Sequence, residues 1–184
     1  MWNRILNAVF PNHPAARPSL AEGREFYVFR VHLAEGLKDI VSLTPAHTAF
    51  DSGFAADTVI GACSELLKDG GTVTVANFQP NRHFVELLHG VIAAYGPKLP
   101  ALCAEARRQR TGWVYVIDGR SPTPEAEVPP RDILGVFEVK DGTIVANSYQ
   151  ANANHQILSA DGLFSLEPEL HEQLMKRIAP DKRR

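Results

Sequence analysis

Apolar and polar positions alternate first at residues 25–33. Phe29, Val31 and Leu33 lie on one side and Arg30 and His32 on the other, which predicts a strand. Residues 40–43 form a second short apolar run, ended by Thr44-Pro45. Val59, Ile60, Cys63, Leu66 and Leu67 recur at helical spacing and predict a helix over 55–68, closed by Asp69-Gly70-Gly71. Thr72 to Ala76 is rich in β-branched residues and predicts a strand. Asn81 suits the N-cap of a helix that carries Phe84, Leu87, Leu88, Val91, Ile92 and Tyr95 on one buried face, and Gly96-Pro97 stops it.

A further helix is expected from Leu99 to about Gln109, with Pro100 in its first turn. Arg107, Arg108 and Arg110 gather at its end, where the helix dipole favours cations. Trp113 to Ile117 is nearly continuous in apolar residues and predicts a central, buried strand. A proline-rich loop over 119–130 follows. Residues 133–139 and 143–145 read as a hairpin closed by Asp141-Gly142. A short strand is expected around Gln156 to Leu158, then a helix marked by Leu170, Leu174 and Ile178, and a frayed basic tail at Lys182-Arg183-Arg184.

Ahead of all this, Trp2, Ile5, Leu6, Val9 and Phe10 share one helical face before Pro11, Pro14 and Pro18. Residues 1–20 therefore read as an amphipathic arm, and 21–184 as a single domain. The arm carries too little basic charge for a lipid surface and suits docking on protein. The order of elements predicts an α+β fold. Its sheet is mixed and mainly antiparallel, with helices between the early strands and a strand-rich C-terminal half.

Length and charge agree with one domain: 184 residues, 19 basic against 21 acidic side chains, and a net charge of −2. That balance excludes a nucleic-acid binder driven by bulk charge, and no apolar run is long enough to span a membrane. Cys63 and Cys103 read as two buried free thiols in a reducing compartment. The first residues lack a secretory signal, so the cytoplasm is the expected location, with export by a machine that reads no such signal left open.

Metal, hydrolytic and phosphate-loop motifs are not supported. His83, Glu86 and His89 follow one another at spacings of three, drift around the helix, and read as solvated residues of its face. His47 and His155 fall in loops. No nucleophile elbow, P-loop or dinucleotide fingerprint is present. Glu125 and Glu127 remain: two apart in an extended segment, they point to one side, which suits a site where positive charge develops on a sugar ring. Arg30 could hold a phosphate through its planar fork. Each of these residues also has a plain reading as a solvated loop or strand charge.

In that order these residues resemble the bacterial mono-ADP-ribosyltransferase toxins of the enterotoxin and pertussis type. The matching pieces are Val28-Phe29-Arg30-Val31, Gly53-Phe54, Gly112-Trp113-Val114-Tyr115-Val116, Glu125-Ala126-Glu127 and Asn152-Ala153-Asn154. Thr72-Val73-Thr74 stands in the slot of the family's Ser-Thr-Ser strand. The resemblance implies an NAD-dependent transferase of ADP-ribose to an unknown acceptor. Arg30 would contact the phosphate or ribose of NAD, with Thr74 also in the NAD site. Glu127 would be the catalytic glutamate and Glu125 the residue that orients the acceptor. The competing expectation is a non-catalytic immunity or accessory protein, with the Trp2–Phe10 arm as docking face and a homo-oligomer left open.

Overall fold

The computed structural model describes residues 18–21, 24–44, 56–68, 71–120 and 127–178. The N-terminal arm through residue 17, His47, Gly53-Phe54, Glu125 and the tail at 182–184 lie outside them. The described chain is α+β with antiparallel strand pairs throughout, and it divides into two compact units. Among the described residues, the first takes in the chain up to Leu87 together with Ile157–Leu163 and Ile178; the second is Leu88–Gln156 with Phe164–Arg177.

The first unit holds a five-stranded sheet in sequence order. Its strands are β1 (Pro18–Ala21), β2 (Arg24–Leu33), β3 (Gly36–Ser42), β4 (Val59–Cys63) and β5 (Phe78–Pro80). The alternation expected in β2 is observed. Phe29 and Val31 pack with Ile40, Val59 and Ala62, and Tyr27 and Leu33 flank that core on the same face.

Two expectations fail here. Residues 59–63 are a fully buried strand, not a helix. A short apolar run fits either period; Val59 and Ile60 suit a strand better, and Gly61 lets the Phe78 ring pack where a Cβ would stand 2.4 Å from it. Residues 72–76 are a loop, not a strand. The Asn77 side chain accepts from the Thr74 N–H at 2.7 Å and donates to the Thr72 carbonyl at 3.0 Å, offering the backbone a local alternative to a ladder.

Helix α1 (Arg82–Tyr95) starts as its cap predicts: Asn81 accepts from the His83 N–H at 3.1 Å. Phe84, Leu88, Val91 and Ile92 are buried, whereas Tyr95 is exposed beneath the Lys98 ammonium.

In the second unit, α2 (Pro100–Gln109) opens on its proline and leads into a four-stranded sheet. That sheet comprises β6 (Gly112–Ile117), β7 (Ile133–Lys140), β8 (Thr143–Ile144) and β9 (Gln150–Ala151). The Asp141-Gly142 hairpin forms between β7 and β8, and Asp141 and Gly142 both take positive φ. Strand β7 is central and pairs with β6, β8 and β9, so among the described residues β6 is an edge strand. This corrects the expectation of a buried central strand at 113–117. Helix α3 (Pro168–Ile178) buries Leu170, Leu174 and Ile178 as their spacing predicts. The short strand expected around 156–158 is β10 (Leu158–Ser159), paired with β11 (Gly162–Leu163) in the first unit.

Candidate functional site

Arg30 and Thr74 belong to the first unit, and Glu127 to the second. Arg30 stands opposite Asp39 in the β2–β3 ladder. Its Nε and Nη2 donate to the two carboxylate oxygens at 2.8 and 2.9 Å, and Nη2 also donates to the Leu67 carbonyl at 2.6 Å. The fork expected to take a phosphate is thus engaged by a carboxylate. Thr74 is exposed in the Asn77-braced loop, and Glu127 is exposed ahead of Pro129.

The densest chemistry lies elsewhere in the second unit, where β6 ends. Asp118 is fully buried. Its Oδ1 accepts from the backbone N–H groups of Ser165 and Arg120 at 2.8 and 3.1 Å. Its Oδ2 lies 3.0 Å from His155 Nε2 and 3.0 Å from Arg120 Nη2. Arg120 Nη2 also donates to the Gln156 carbonyl at 2.7 Å and approaches Asp132 Oδ1 at 3.3 Å. Burial raises the Asp118 pKa, but the donors from His155, Arg120 and Ser165 outweigh it and hold the group below its usual value. An ionised carboxylate only accepts, so His155 Nε2 carries the proton between them.

Beside His155, edge to face at 6.4 Å between ring centroids, stands His89 of α1. Its Nδ1 lies 2.8 Å from Tyr149 Oη, and that hydroxyl donates to the Leu134 carbonyl at 3.2 Å. Tyr149 has one proton to give. With that proton on Leu134, Nδ1 of His89 must carry the proton of the shared bond. Burial, and then the neighbouring His155, push the His89 pKa down to about 4, and burial pushes the Tyr149 hydroxyl up. His89 is therefore a neutral, half-buried ring, not the solvated helix-face residue its spacing suggested.

A bulge explains why the Leu134 carbonyl is available. Val116 pairs with Gly135 and Ile117 with Ile133, which leaves Leu134 with no partner on β6. Its carbonyl instead takes the Tyr149 hydroxyl and the Asn152 N–H. Gly135 completes the arrangement, because a Cβ there would stand 2.6 Å from Tyr149 Oη. Asn152 donates to the Pro130 and Ile133 carbonyls, and its own Oδ1 accepts from Asn154, so Asn152-Ala153-Asn154 is a turn clamp on β7.

This network braces the turn at 118–120, the turn at 152–156 and Ser165 around one carboxylate. The His155 and Asp118 side chains are 2% and 0% exposed, so the pair best equipped for proton transfer is closed to solvent. Among the described residues, no group of three or more His, Cys, Asp or Glu could hold a metal ion, and no helix is long and apolar enough to cross a membrane.

On β6 itself, Val114 and Val116 point into the core, while Trp113, Tyr115 and Ile117 are 41%, 51% and 43% exposed. On β7 its neighbours are mixed: Tyr115 stands opposite Val136, and Trp113 opposite Glu138, which pairs with Lys140. The sequence concealed this because both faces of the strand are apolar. No polar set marks the outward side, and whether a sheet face is exposed depends on what packs against that face. Asp118, Arg120, Asp132 and Tyr149 carried no motif either, since they meet through the fold and not through spacing.

No protein-family model, curated protein or solved structure matches this chain.

Proposed function

We propose that this chain acts by binding another polypeptide on the outer face of the second unit's sheet, centred on β6. The observation that carries this reading is the row of Trp113, Tyr115 and Ile117 on an edge strand without charge or proline. Contiguous exposed apolar rows mark interaction sites, and Trp and Tyr are the residues most enriched where binding energy concentrates. The buried bonds of Asp118 support it further, because they anchor the end of β6 and present the row on a rigid base. The row is a docking face distinct from the Trp2–Phe10 arm.

The test uses the tagged chain as bait for proteins of its source cells and for its own untagged copy. A Trp113→Ser/Tyr115→Ser variant serves as control, since both positions are exposed and leave the core intact. The expected result is a protein held by the wild type, lost by the variant, and bound again after purification. Identical capture by both overturns the reading. An NAD-dependent transferase built on Arg30, Thr74, Glu125 and Glu127 competes with it. Nicotinamide release from NAD by the wild type, lost in Glu127→Gln, would favour that reading instead.

A further inference from the structure

Strand β6 pairs with β7 along one edge, and among the described residues no strand pairs along the other. An open edge presents a row of backbone donors and acceptors that templates a further strand. Natural edges are blunted by lysine, proline, inward charge or a bulge. Gly112–Ile117 holds no charged residue and no proline, and the bulge of this ladder falls on β7 at Leu134.

Resting on the reading of β6 as a polypeptide-binding strand, we propose that its open edge takes a second copy of the chain, added edge to edge as an antiparallel β6–β6 pair on a two-fold axis at Tyr115.

The strand is complementary to itself in that register. Trp113 of one copy falls opposite Ile117 of the other, an aromatic and β-branched pairing that stabilises antiparallel ladders. Val114 falls opposite Val116 on the other face, so the buried side of one sheet continues into the buried side of the next. Tyr115 meets Tyr115 at the axis. With no charge between Gly112 and Ile117, the pairing sets no like charges against each other. A two-fold contact of this kind closes on itself and stops at two copies.

Size decides its strength. A six-residue ladder with three half-exposed side chains per copy falls short of the roughly 1,200 Å² of a standard stable interface. The dimer is therefore reversible and fills as concentration rises.

Sedimentation velocity of the full chain, from about 10 μM to about 1 mM, reads this directly. The wild type should pass from monomer to dimer across that range. Tyr115→Lys and Tyr115→Glu should each remain monomeric, because each sets two like charges face to face on the axis. An equimolar mixture of the two variants should dimerise again, because opposite charges then meet. Position 115 is exposed, and a wild-type near-ultraviolet circular dichroism spectrum confirms that each variant is folded. A wild type that stays monomeric, variants that dimerise as it does, or a mixture that fails to recover overturns the proposal. If the wild type stays monomeric while Trp113→Ser/Tyr115→Ser still loses a captured protein, the face binds polypeptide but not its own copy. If that capture is also unchanged, the functional reading fails with it.

Discussion

Arg30 and Asp39 stand opposite each other across β2 and β3 and are joined by two side-chain hydrogen bonds, the planar fork of one gripping both oxygens of the other. Asp39 is buried and also accepts from the Leu67 N–H at 2.7 Å, so this pair ties the 64–68 segment to the sheet. Removing the cation leaves a buried carboxylate short of donors. Arg30→Ala should destabilise the protein by about 2 kcal/mol, less than for a fully buried pair because the arginine is one-third exposed. Arg30→Ala/Asp39→Ala should cost less than the two single changes added together. Urea unfolding of the three variants measures the coupling.

Gly135→Ala tests the packing beneath Tyr149. The added methyl would meet Tyr149 Oη and the Gln150 carbonyl, both at 2.6 Å, and the carbonyl belongs to the paired strand β9 and cannot swing aside. The expected cost is about 2 kcal/mol in urea unfolding. An alanine variant as stable as the wild type would show that Tyr149 is not seated as described.

Acid should weaken the fold through His89. Unfolded, the imidazole takes its proton near its ordinary value of 6.5, whereas in the fold burial and His155 hold the pKa at about 4. Between those values the unfolded chain binds more protons, so stability rises with pH there. The contribution is complete above about pH 6.5 and is lost as pH falls toward 4. It amounts to about 2 kcal/mol once the ring's partial contact with water is allowed for. Denaturant unfolding of the wild type and His89→Gln at pH 7 and pH 4.5 should show a smaller loss for the variant. Equal losses would place the acid sensitivity in other groups.

The proton between His89 and Tyr149 can be located by nuclear magnetic resonance. Long-range nitrogen–proton correlation should show His89 as the Nδ1–H tautomer at neutral pH, with the Tyr149 hydroxyl donating to Leu134. Tyr149→Phe should then cost about 1 kcal/mol and release that tautomer preference. An Nε2–H ring in the wild type would reverse the direction of the bond.

The two thiols should differ in reactivity. Cys63 is buried in β4, and burial, then the nearby Asp39 charge, raise its pKa to about 11. Cys103 is only partly buried, and its thiol donates to the Pro97 carbonyl. A thiol reagent at pH 8 should label Cys103 in the native protein and reach Cys63 only after denaturant is added. Rapid native labelling of Cys63 would contradict the closed sheet around β4.

Legibility in the sequence followed the range of the forces involved. The β2 alternation, the Asn81 cap, the buried stripe at Phe84, Leu88, Val91 and Ile92, and the Asp141-Gly142 hairpin all follow from contacts within a few residues. Each could be read from the local period and turn chemistry. Residues 59–63 could not, because five apolar or small residues satisfy a helix face and a buried strand equally well until pairing with β3 and β5 decides.

The sequence by itself determined the α+β class, most element positions and the turn residues, because periodicity, capping and backbone preference act locally. Tertiary structure alone decided which apolar side of Gly112–Ile117 faces solvent, since that depends on which face of the sheet the rest of the chain packs against. It also decided that Asp118, His155, His89 and Tyr149 meet, because long-range chain closure brings together groups whose spacing carries no period. The same closure turned Arg30, open in the sequence to a phosphate, toward the carboxylate on its neighbouring strand.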